Sequence, residues 1–305
     1  MPTIKTIQDF TAAVQTALTA AFPKCKIEAV DVTKNNDVQL TGLAIHPQNK
    51  KASPTIYMEP YFAAFQSGQP LAEMINQIII NCTSALSCTN VGIDTEEITD
   101  FNRVKDKICY KLINKNLNST LLAAVPHSDY HDLAVVYYIH LALTDNGLST
   151  LNVTHSLAKT WGVDEESLFA LASSNTPRLC RGLVLAINDV LSVDLKTKPY
   201  TYFDFTLSDT DILPMYIATN TNKIYGAASI LYDGLLDAAA EKLGSFYAIP
   251  SSVHELMFVP VTFGDAESIR QMVHEINGTE IPAEEILSDN IYCYDAESRE
   301  FKIIA

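Results

Sequence analysis

The chain has 305 residues, of which 48% are hydrophobic and 19% are charged. This composition is too apolar for a disordered chain and predicts a sizeable buried core, in two domains or in one large domain with several lobes. The 36 acidic and 21 basic side chains give a formal net charge of -15. Such a charge repels phosphate backbones and anionic lipid, so we expect no direct binding to nucleic acid or to a membrane surface. Solubility alone, or a partner protein with a basic surface, would explain the charge.

Cysteine usage and the N-terminus favour a cytoplasmic protein. None of the six cysteines forms a C-x-x-C pair, and no cysteine–histidine spacing matches a zinc module. In a chain of this size, we expect reduced and mostly buried thiols. Residues 1–18 lack the unbroken apolar core of a signal peptide. The longest apolar run, residues 133–143, is about half of the roughly 20 residues that span a bilayer.

The first hundred residues predict a lobe with the order α-β-β-β-α. Apolar residues recur at helical spacing from Ile7 to Leu18, and Pro23 ends the pattern. Strands are predicted at 27–33, 38–45 and 55–59, with a hairpin turn at 34–37. A second amphipathic helix follows Pro70. The polar residues 81–100 predict a linker or a surface excursion.

Residues 101–200 predict a middle α+β lobe. The apolar run 133–143 suits a central strand, and the Asn-Gly turn at 145–147 predicts a hairpin to a partner strand at 148–155. Asp164 is a predicted N-cap for the helix that follows it. Less regular patterns predict a strand at 107–113 and helices at 117–125 and 182–193.

Residues 201–305 predict a third lobe with the order β-β-α-β-β-α. Strands at 215–219 and 223–231 form a predicted hairpin, and strands at 246–249 and 255–261 form a second one. Asp233 and Asp265 are predicted N-caps of helices, and Pro282 opens a predicted short helix. A hairpin is predicted near the C-terminus. The whole chain therefore predicts an α+β fold with mainly antiparallel sheets packed by helices, in two or three lobes.

Motifs for nucleotides, cofactors and metals are missing from the sequence. It contains no G-x-G-x-x-G, no P-loop and no G-x-S-x-G elbow, and its 11 glycines leave little material for a phosphate-cradling loop. Two His-Glu pairs lack the second histidine of the H-E-x-x-H zinc pattern. We therefore expect no cofactor.

Ser251, Ser252, His254 and Glu255 are the densest cluster of reactive side chains. A serine hydroxyl activated by a histidine base, which a carboxylate orients, would be the machinery of a hydrolase. The alternative is structural: the serines bond the backbone of a turn, and His254 and Glu255 begin a strand. Adjacent strand side chains point to opposite faces, so these two residues would not form a dyad.

Two further clusters are weaker metal candidates. His127 and His131 stand four residues apart with two aspartates nearby, which would suit a metal if the segment were helical. Pro126 and the strand that follows favour a solvated loop instead. Asp204, Asp209 and Asp211 do not have the spacing of a calcium loop and are interpreted as a surface loop.

Several segments also carry a resemblance to known sequences. They are VTKNNDVQLTGL (32–43), PTIYMEPY (54–61), LAVVYY (133–138), WGVDEESL (161–168), NTPRL (175–179), LPMYIATNTNKIYGAASILY (213–232), IPSSVHE (249–255) and LSDNIYCYD (287–295). Together they resemble a family of uncharacterised proteins from anaerobic gut bacteria, a domain of unknown function. The resemblance implies a bacterial cytosolic protein and brings no activity or functional residue with it. It makes IPSSVHE the first choice for a site.

The leading hypothesis is a cytoplasmic binding or regulatory protein that acts through protein contacts without a catalytic centre. It depends on the missing motifs and on the acidic surface, which favours a basic partner. The alternative is a hydrolase of unfamiliar type centred on Ser251 or Ser252 and His254, which requires a carboxylate from another lobe, such as Glu59 or Asp129, to approach His254. An acidic inhibitor that mimics nucleic acid is a third hypothesis.

Overall fold

The computed structural model describes residues 4–48, 53–88, 95–144, 147–187, 205–206, 215–279 and 281–304. The chain forms two compact units. The N-terminal unit consists of Met1–Lys34 and Val38–Ile98, and the C-terminal unit consists of Asn35–Asp37 and Thr99–Ala305.

The N-terminal unit runs through a helix, three strands and two helices. Its elements are α1 (Ile7–Ala21), β1 (Cys25–Thr33), β2 (Gln39–Pro47), β3 (Thr55–Tyr57), α2 (Glu59–Gln66) and α3 (Leu71–Cys88). The strands form an antiparallel sheet in the order β1-β2-β3. A short helix, α4 (Thr95–Thr99), follows in the sequence.

Apolar residues at helical spacing form part of the core of the N-terminal unit. Phe10, Val14 and Leu18 of α1 are fully buried, and a capping box between Thr6 and Asp9 fixes where this helix begins. The prediction of a linker over 81–100 is wrong for residues 81–88, which continue α3. Cys82 continues the buried face of α3, because it lies in the same core as Met74 and Ile78, the apolar residues two turns and one turn before it.

The C-terminal unit contains a four-stranded and a seven-stranded sheet. Its helices are α5 (Phe101–Val104), α6 (Ser119–Leu122), α7 (His155–Trp161), α8 (Glu165–Leu179), α9 (Leu235–Leu243) and α10 (Ala266–Thr279). Short 3-10 helices lie at Asn35–Asp37, Lys105–Lys107, Gly226–Leu231 and Val261–Phe263. Its strands are β4 (Ile108–Asn114), β5 (His127–Tyr130), β6 (Leu133–Thr144), β7 (Gly147–Asn152), β8 (Gly182–Ala186), β9 (Phe205–Thr206), β10 (Tyr216–Asn220), β11 (Phe246–Ser252), β12 (Glu255–Pro260), β13 (Tyr292–Tyr294) and β14 (Phe301–Ile303).

The four-stranded sheet is built around β6. The first half of β6 pairs with β4 on one side and β5 on the other, and its second half pairs with β7. All seven residues of β4 are buried. Asp164 caps α8 as predicted, with its carboxylate accepting from the Ser167 amide at 2.9 Å.

The seven-stranded sheet has the order β14-β13-β11-β12-β10-β8-β9. Its described pairs are antiparallel except β8 with β9. The predicted terminal hairpin is present as β13 and β14. These sheets confirm the α+β fold with mainly antiparallel strands.

Three local predictions are corrected. Residues 226–231 form a 3-10 helix and not a strand, so β10 pairs with β8 and β12 instead of with its predicted hairpin partner. Residues 182–186 form the strand β8 and not a helix, because a run of five buried residues suits an inner strand. The segment after Pro282 is a turn and not a helix, closed by the Glu285 amide on the Pro282 carbonyl at 2.8 Å.

Some predictions fall outside the described residues. They include the turn residues 145–146 and the aspartates at positions 204, 209 and 211. The division into lobes 1–100, 101–200 and 201–305 stays a prediction, because its second boundary also lies there. Within the described part of the chain, no helix is long and apolar enough to cross a bilayer.

Candidate functional site

A strained loop after β10 lies against the turn between β11 and β12. Lys223 and Tyr225 both adopt left-handed backbone angles, with φ of 55° and 56°. Residues other than glycine rarely adopt such angles. Gly226 follows, and a Cβ placed on it would lie 2.4 Å from the His254 carbonyl oxygen. Thr219 donates its hydroxyl to the same oxygen at 2.8 Å. Strain of this kind concentrates at functional sites, which makes the loop a candidate.

His254 is held by hydrogen bonds in the turn between β11 and β12. Its Nδ1 accepts from the Tyr225 amide at 3.2 Å, which assigns the proton of the neutral ring to Nε2. Nε2 lies 3.6 Å from Oε1 of Glu285. The imidazole also stacks on the Tyr225 ring, with centroids 6.0 Å apart and planes at 18°. The His254 and Glu285 side chains are 29% and 37% exposed, so solvent reaches this pair.

The turn after Pro282 brings Glu285 to His254. The Glu285 carbonyl accepts from the Val253 amide at 2.8 Å, and the Leu287 amide donates to the Ser251 carbonyl at 3.1 Å. Residues 285–288 therefore run beside the end of β11. The carboxylate near the imidazole is thus Glu285, and Glu255 is an exposed residue at the start of β12.

The two serines are buried, and Ser252 stabilises the turn through a hydrogen bond. Ser251 and Ser252 are 6% and 5% exposed. The Ser252 hydroxyl oxygen accepts from the His254 amide at 3.1 Å, which is a turn contact and not a contact with the imidazole. A nucleophile–base pair needs the hydroxyl to donate to a free ring nitrogen. The described contacts of Nδ1 and Nε2 are with the Tyr225 amide and with Glu285.

A buried lysine reaches the same loop from β4. Lys111 is only 7% exposed, and its Nζ lies 4.6 Å from the centroid of the Tyr225 ring. The Tyr138 ring of β6 packs on the same tyrosine, with centroids 5.5 Å apart. The tyrosine therefore contacts a cation, an imidazole and a second aromatic ring.

Two buried thiols lie close to this cluster. A hydrogen bond joins Cys109 of β4 to Cys180, which follows α8, and both are fully buried. Hydrogen bonds from Cys109, Tyr138 and Asn222 lower the pKa of Cys180, and Asn222 Nδ2 lies 3.1 Å from its sulfur. The bond to Cys180, together with burial, raises the pKa of Cys109. Because both thiols are fully buried, they are packing residues and not accessible nucleophiles.

His127 and His131 lie on a strand and in a turn, respectively. His127 begins β5, and its Nδ1 lies 3.1 Å from the Val125 carbonyl oxygen. His131 lies in the turn before β6 and packs on Tyr130 and Tyr292. No helix places these histidines one turn apart, since His127 begins β5 and His131 has a left-handed φ of 56° in the turn that follows. Among the described residues, no three His, Cys, Asp or Glu side chains group as metal ligands do.

The sequence patterns did not predict Lys111, Tyr225 or Glu285 as site residues. One lysine inside the run ICYKLIN was a signal, because an inner strand rarely carries a charge. The glycine after Tyr225 was a weaker signal of close backbone approach. Nothing local pointed to Glu285, since it reaches His254 only through the pairing of residues 285–288 with β11.

The fold and the site define an α+β protein in which polar and aromatic side chains converge on one strained loop. The chain belongs to DUF5688, a family of unknown function, whose sequence model matches residues 7–296. Comparison with curated proteins and with solved structures found no match.

Proposed function

We propose that this protein is a cytoplasmic binding or regulatory protein that contacts a basic partner protein and has no catalytic centre. The observation that carries the proposal is the acidity of residues 265–305, which contain ten carboxylates and three basic side chains. Among the described residues of this segment, the exposed carboxylates are Asp265, Glu267, Glu275, Asp289, Glu297 and Glu300.

Local ion pairs leave most of this negative charge available. Arg270 pairs with Glu267 at 3.1 Å, and Lys302 pairs with Glu300 at 3.1 Å. Glu275 and Glu297 are exposed at other points of the segment. An uncompensated acidic surface attracts a basic partner, speeds its association and selects against acidic competitors.

The geometry of His254 supports binding over hydrolysis. Both of its ring nitrogens face local groups, and Ser252 uses its hydroxyl oxygen to accept a backbone hydrogen bond. The histidine therefore orders the loop around Tyr225. Ordered loops on a rigid sheet are the usual place for recognition.

The test begins with native mass spectrometry of the protein purified gently from its host. We expect a complex with a protein of basic surface. The double variant Glu275→Lys/Glu297→Lys should weaken that complex at least about tenfold, and added salt should weaken the wild-type complex. Glu166→Lys is the matched control, because Glu166 is exposed on α8 outside the acidic segment. A bare monomer from the host, or equal binding by all three proteins, would contradict the proposal.

A second candidate is a hydrolase of unfamiliar type centred on Ser251 or Ser252 and His254. The observation in its favour is the half-exposed Glu285–His254 pair, which resembles the carboxylate–histidine part of a triad. Hydrolysis of p-nitrophenyl acetate and butyrate tests it, with wild type compared against His254→Ala and Ser252→Ala. Activity that both variants abolish would favour the hydrolase and count against a purely binding role.

A further inference from the structure

His254 holds Tyr225 through a hydrogen bond that only a neutral imidazole can make. The Tyr225 amide donates to Nδ1 at 3.2 Å, so this nitrogen carries no proton. Protonation of the ring would place an N–H group there, and two donors would then face each other. The imidazole is partly exposed, so protons from the solvent reach it. Histidine is the side chain that ordinarily changes its charge between about pH 5 and pH 8.

The Tyr225 backbone is strained and needs contacts that hold it. Its φ of 56° lies in the left-handed region, which residues other than glycine keep only where their surroundings stabilise it. The Tyr225 carbonyl accepts from the Ala228 amide at 3.3 Å, which is a long hydrogen bond. The bond from the Tyr225 amide to His254 is therefore one of the contacts on which this conformation depends.

A carboxylate on the other side of the imidazole favours its protonated form. The distance from Nε2 to Oε1 of Glu285 is 3.6 Å, which is longer than a hydrogen bond of about 2.7–3.2 Å. An imidazolium that moved toward Glu285 would form a shorter, charge-assisted hydrogen bond. Glu255 follows His254 in the chain and is exposed at the start of β12.

The groups on the Tyr225 side disfavour an imidazolium in the present position. The Lys111 ammonium group already contacts the Tyr225 ring, and the imidazole stacks on the same ring. Protonation would bring a second positive charge against that ring, and like charges repel each other. From β10, the neutral Thr219 hydroxyl donates to the His254 carbonyl. The charged groups therefore push a protonated ring away from Tyr225 and toward Glu285.

We infer that His254 is a pH switch for the loop around Tyr225. The neutral ring bonds the Tyr225 amide, whereas the protonated ring releases this amide and pairs with Glu285. The loop is therefore ordered above the pH range in which histidine takes up its proton, and it is loosened below that range. The switch does not depend on the proposed protein partner, because its ligand is a proton and it operates in the free protein.

Hydrogen exchange of the Tyr225 amide in the whole, free protein tests the switch. With isotopically labelled tyrosine, Tyr225→Phe identifies the signal of this amide by its loss. We expect the protection factor of the Tyr225 amide to fall at least about tenfold between about pH 7.5 and about pH 5. The Tyr137 amide in the middle of β6 is the internal reference for acid effects on the whole protein, and its protection should change much less.

Three variants separate the switch from other effects of acid. His254→Asn keeps a side-chain acceptor near the position of Nδ1 and does not titrate, so the Tyr225 amide should stay protected at both pH values. Glu285→Gln removes the charge that attracts the imidazolium, so the loss of protection should move to lower pH. His274→Asn is the matched control, because the described contact of His274 is with Asp289 at 3.4 Å. It should keep the pH dependence of wild type.

The inference is overturned if the Tyr225 amide of the wild-type protein is equally protected at both pH values. It is also overturned if His254→Asn loses this protection in acid as the wild type does, or if His274→Asn abolishes the change. If His254→Asn does not fold, an unchanged midpoint of the pH dependence in Glu285→Gln overturns it instead.

Discussion

Gly226 occupies a position where a side chain has no room. A Cβ there would lie 2.2 Å from the Thr219 hydroxyl oxygen, 2.4 Å from the His254 carbonyl oxygen and 2.8 Å from the Asn220 amide nitrogen. Two of these atoms belong to the backbone and cannot rotate away. The close approach lets the loop around Tyr225 lie on the His254 turn.

We therefore expect Gly226→Ala to lower the free energy of unfolding by about 2–4 kcal/mol, because either the loop or the turn must shift. Trp161 is the only tryptophan of the chain and lies in α7 of the C-terminal unit, so its fluorescence in urea measures this change. Gly278→Ala is the control: no atom lies within 4 Å of its added Cβ, and it should be neutral or slightly stabilising. A Gly226→Ala protein as stable as wild type would contradict the close packing of the loop.

Residue types alone indicated part of the candidate site. Ser251, Ser252 and His254 are chemically capable and close in sequence, so the turn that holds them was predictable. The hydrogen-bond partners of these residues were not predictable from residue types. Tyr225 donates to His254 through its backbone amide, a group that every residue except proline possesses and that no residue pattern distinguishes.

At the scale of elements, β6 shows how one strand serves two partners on the same side. Pairing with β5 ends at Val136, and β7 pairs with the same edge from Tyr138 onward, with an irregularity after His140; β4 lies on the opposite edge. The Nε2 of His140 is buried and has no hydrogen-bond partner among the described residues. Burial, with a smaller contribution from the charge of Lys107, lowers the pKa of His140 from its ordinary value of 6.5.

This lowered pKa predicts a loss of stability in acid. Below about pH 6.5 the unfolded chain takes up a proton at His140 that the folded chain does not, so stability falls from there toward the lowered folded pKa. His140→Leu removes this pH-dependent contribution to the free energy of unfolding. Urea midpoints at about pH 7.5 and about pH 5 should therefore differ less in His140→Leu than in wild type. His155→Leu, which alters an exposed histidine at the start of α7, is the control. An unchanged pH dependence in His140→Leu would refute the assignment.

Elements with a strong internal pattern were the ones that sequence analysis placed correctly. α1 has apolar residues at helical spacing with a capping box, and β6 is a long β-branched and aromatic run. The segment 223–231, for which the predicted strand was wrong, also contains β-branched residues. Left-handed angles at Lys223 and Tyr225 interrupt it, just before the close approach of Gly226 to the His254 turn.

At the scale of the C-terminal unit, Asp132 connects the two sheets. It lies in the turn between β5 and β6 of the four-stranded sheet. Its carboxylate accepts from the Ser288 hydroxyl at 2.5 Å, from Asn290 Nδ2 at 2.9 Å and from the Tyr292 hydroxyl of β13. Burial and the bond to Asp132 raise the pKa of Tyr292. One side chain thus satisfies three donors from residues 288–292.

Removing this carboxylate should destabilise the C-terminal unit strongly. Asp132→Ala leaves the buried Ser288 and Tyr292 hydroxyls without their acceptor, and we expect it to cost about 2–4 kcal/mol in the free energy of unfolding. Urea denaturation followed by Trp161 fluorescence measures it. Asp129→Ala, which removes an exposed carboxylate from the same strand and turn, should change stability little. Equal effects of the two variants would show that Asp132 does not join the sheets.

The sequence by itself determined the α+β class, the main helices and the hairpins β1–β2, β6–β7, β11–β12 and β13–β14 of this protein. These follow from periodicity, caps and turn residues, which act over a few neighbouring positions. Tertiary structure decided the candidate site. Lys111, Tyr225, His254 and Glu285 come from separate parts of the chain, and only the packing of β4, the loop after β10 and the segment beside β11 brings them together. Contacts between distant residues depend on how whole elements bury their surfaces, and a local pattern does not encode that choice.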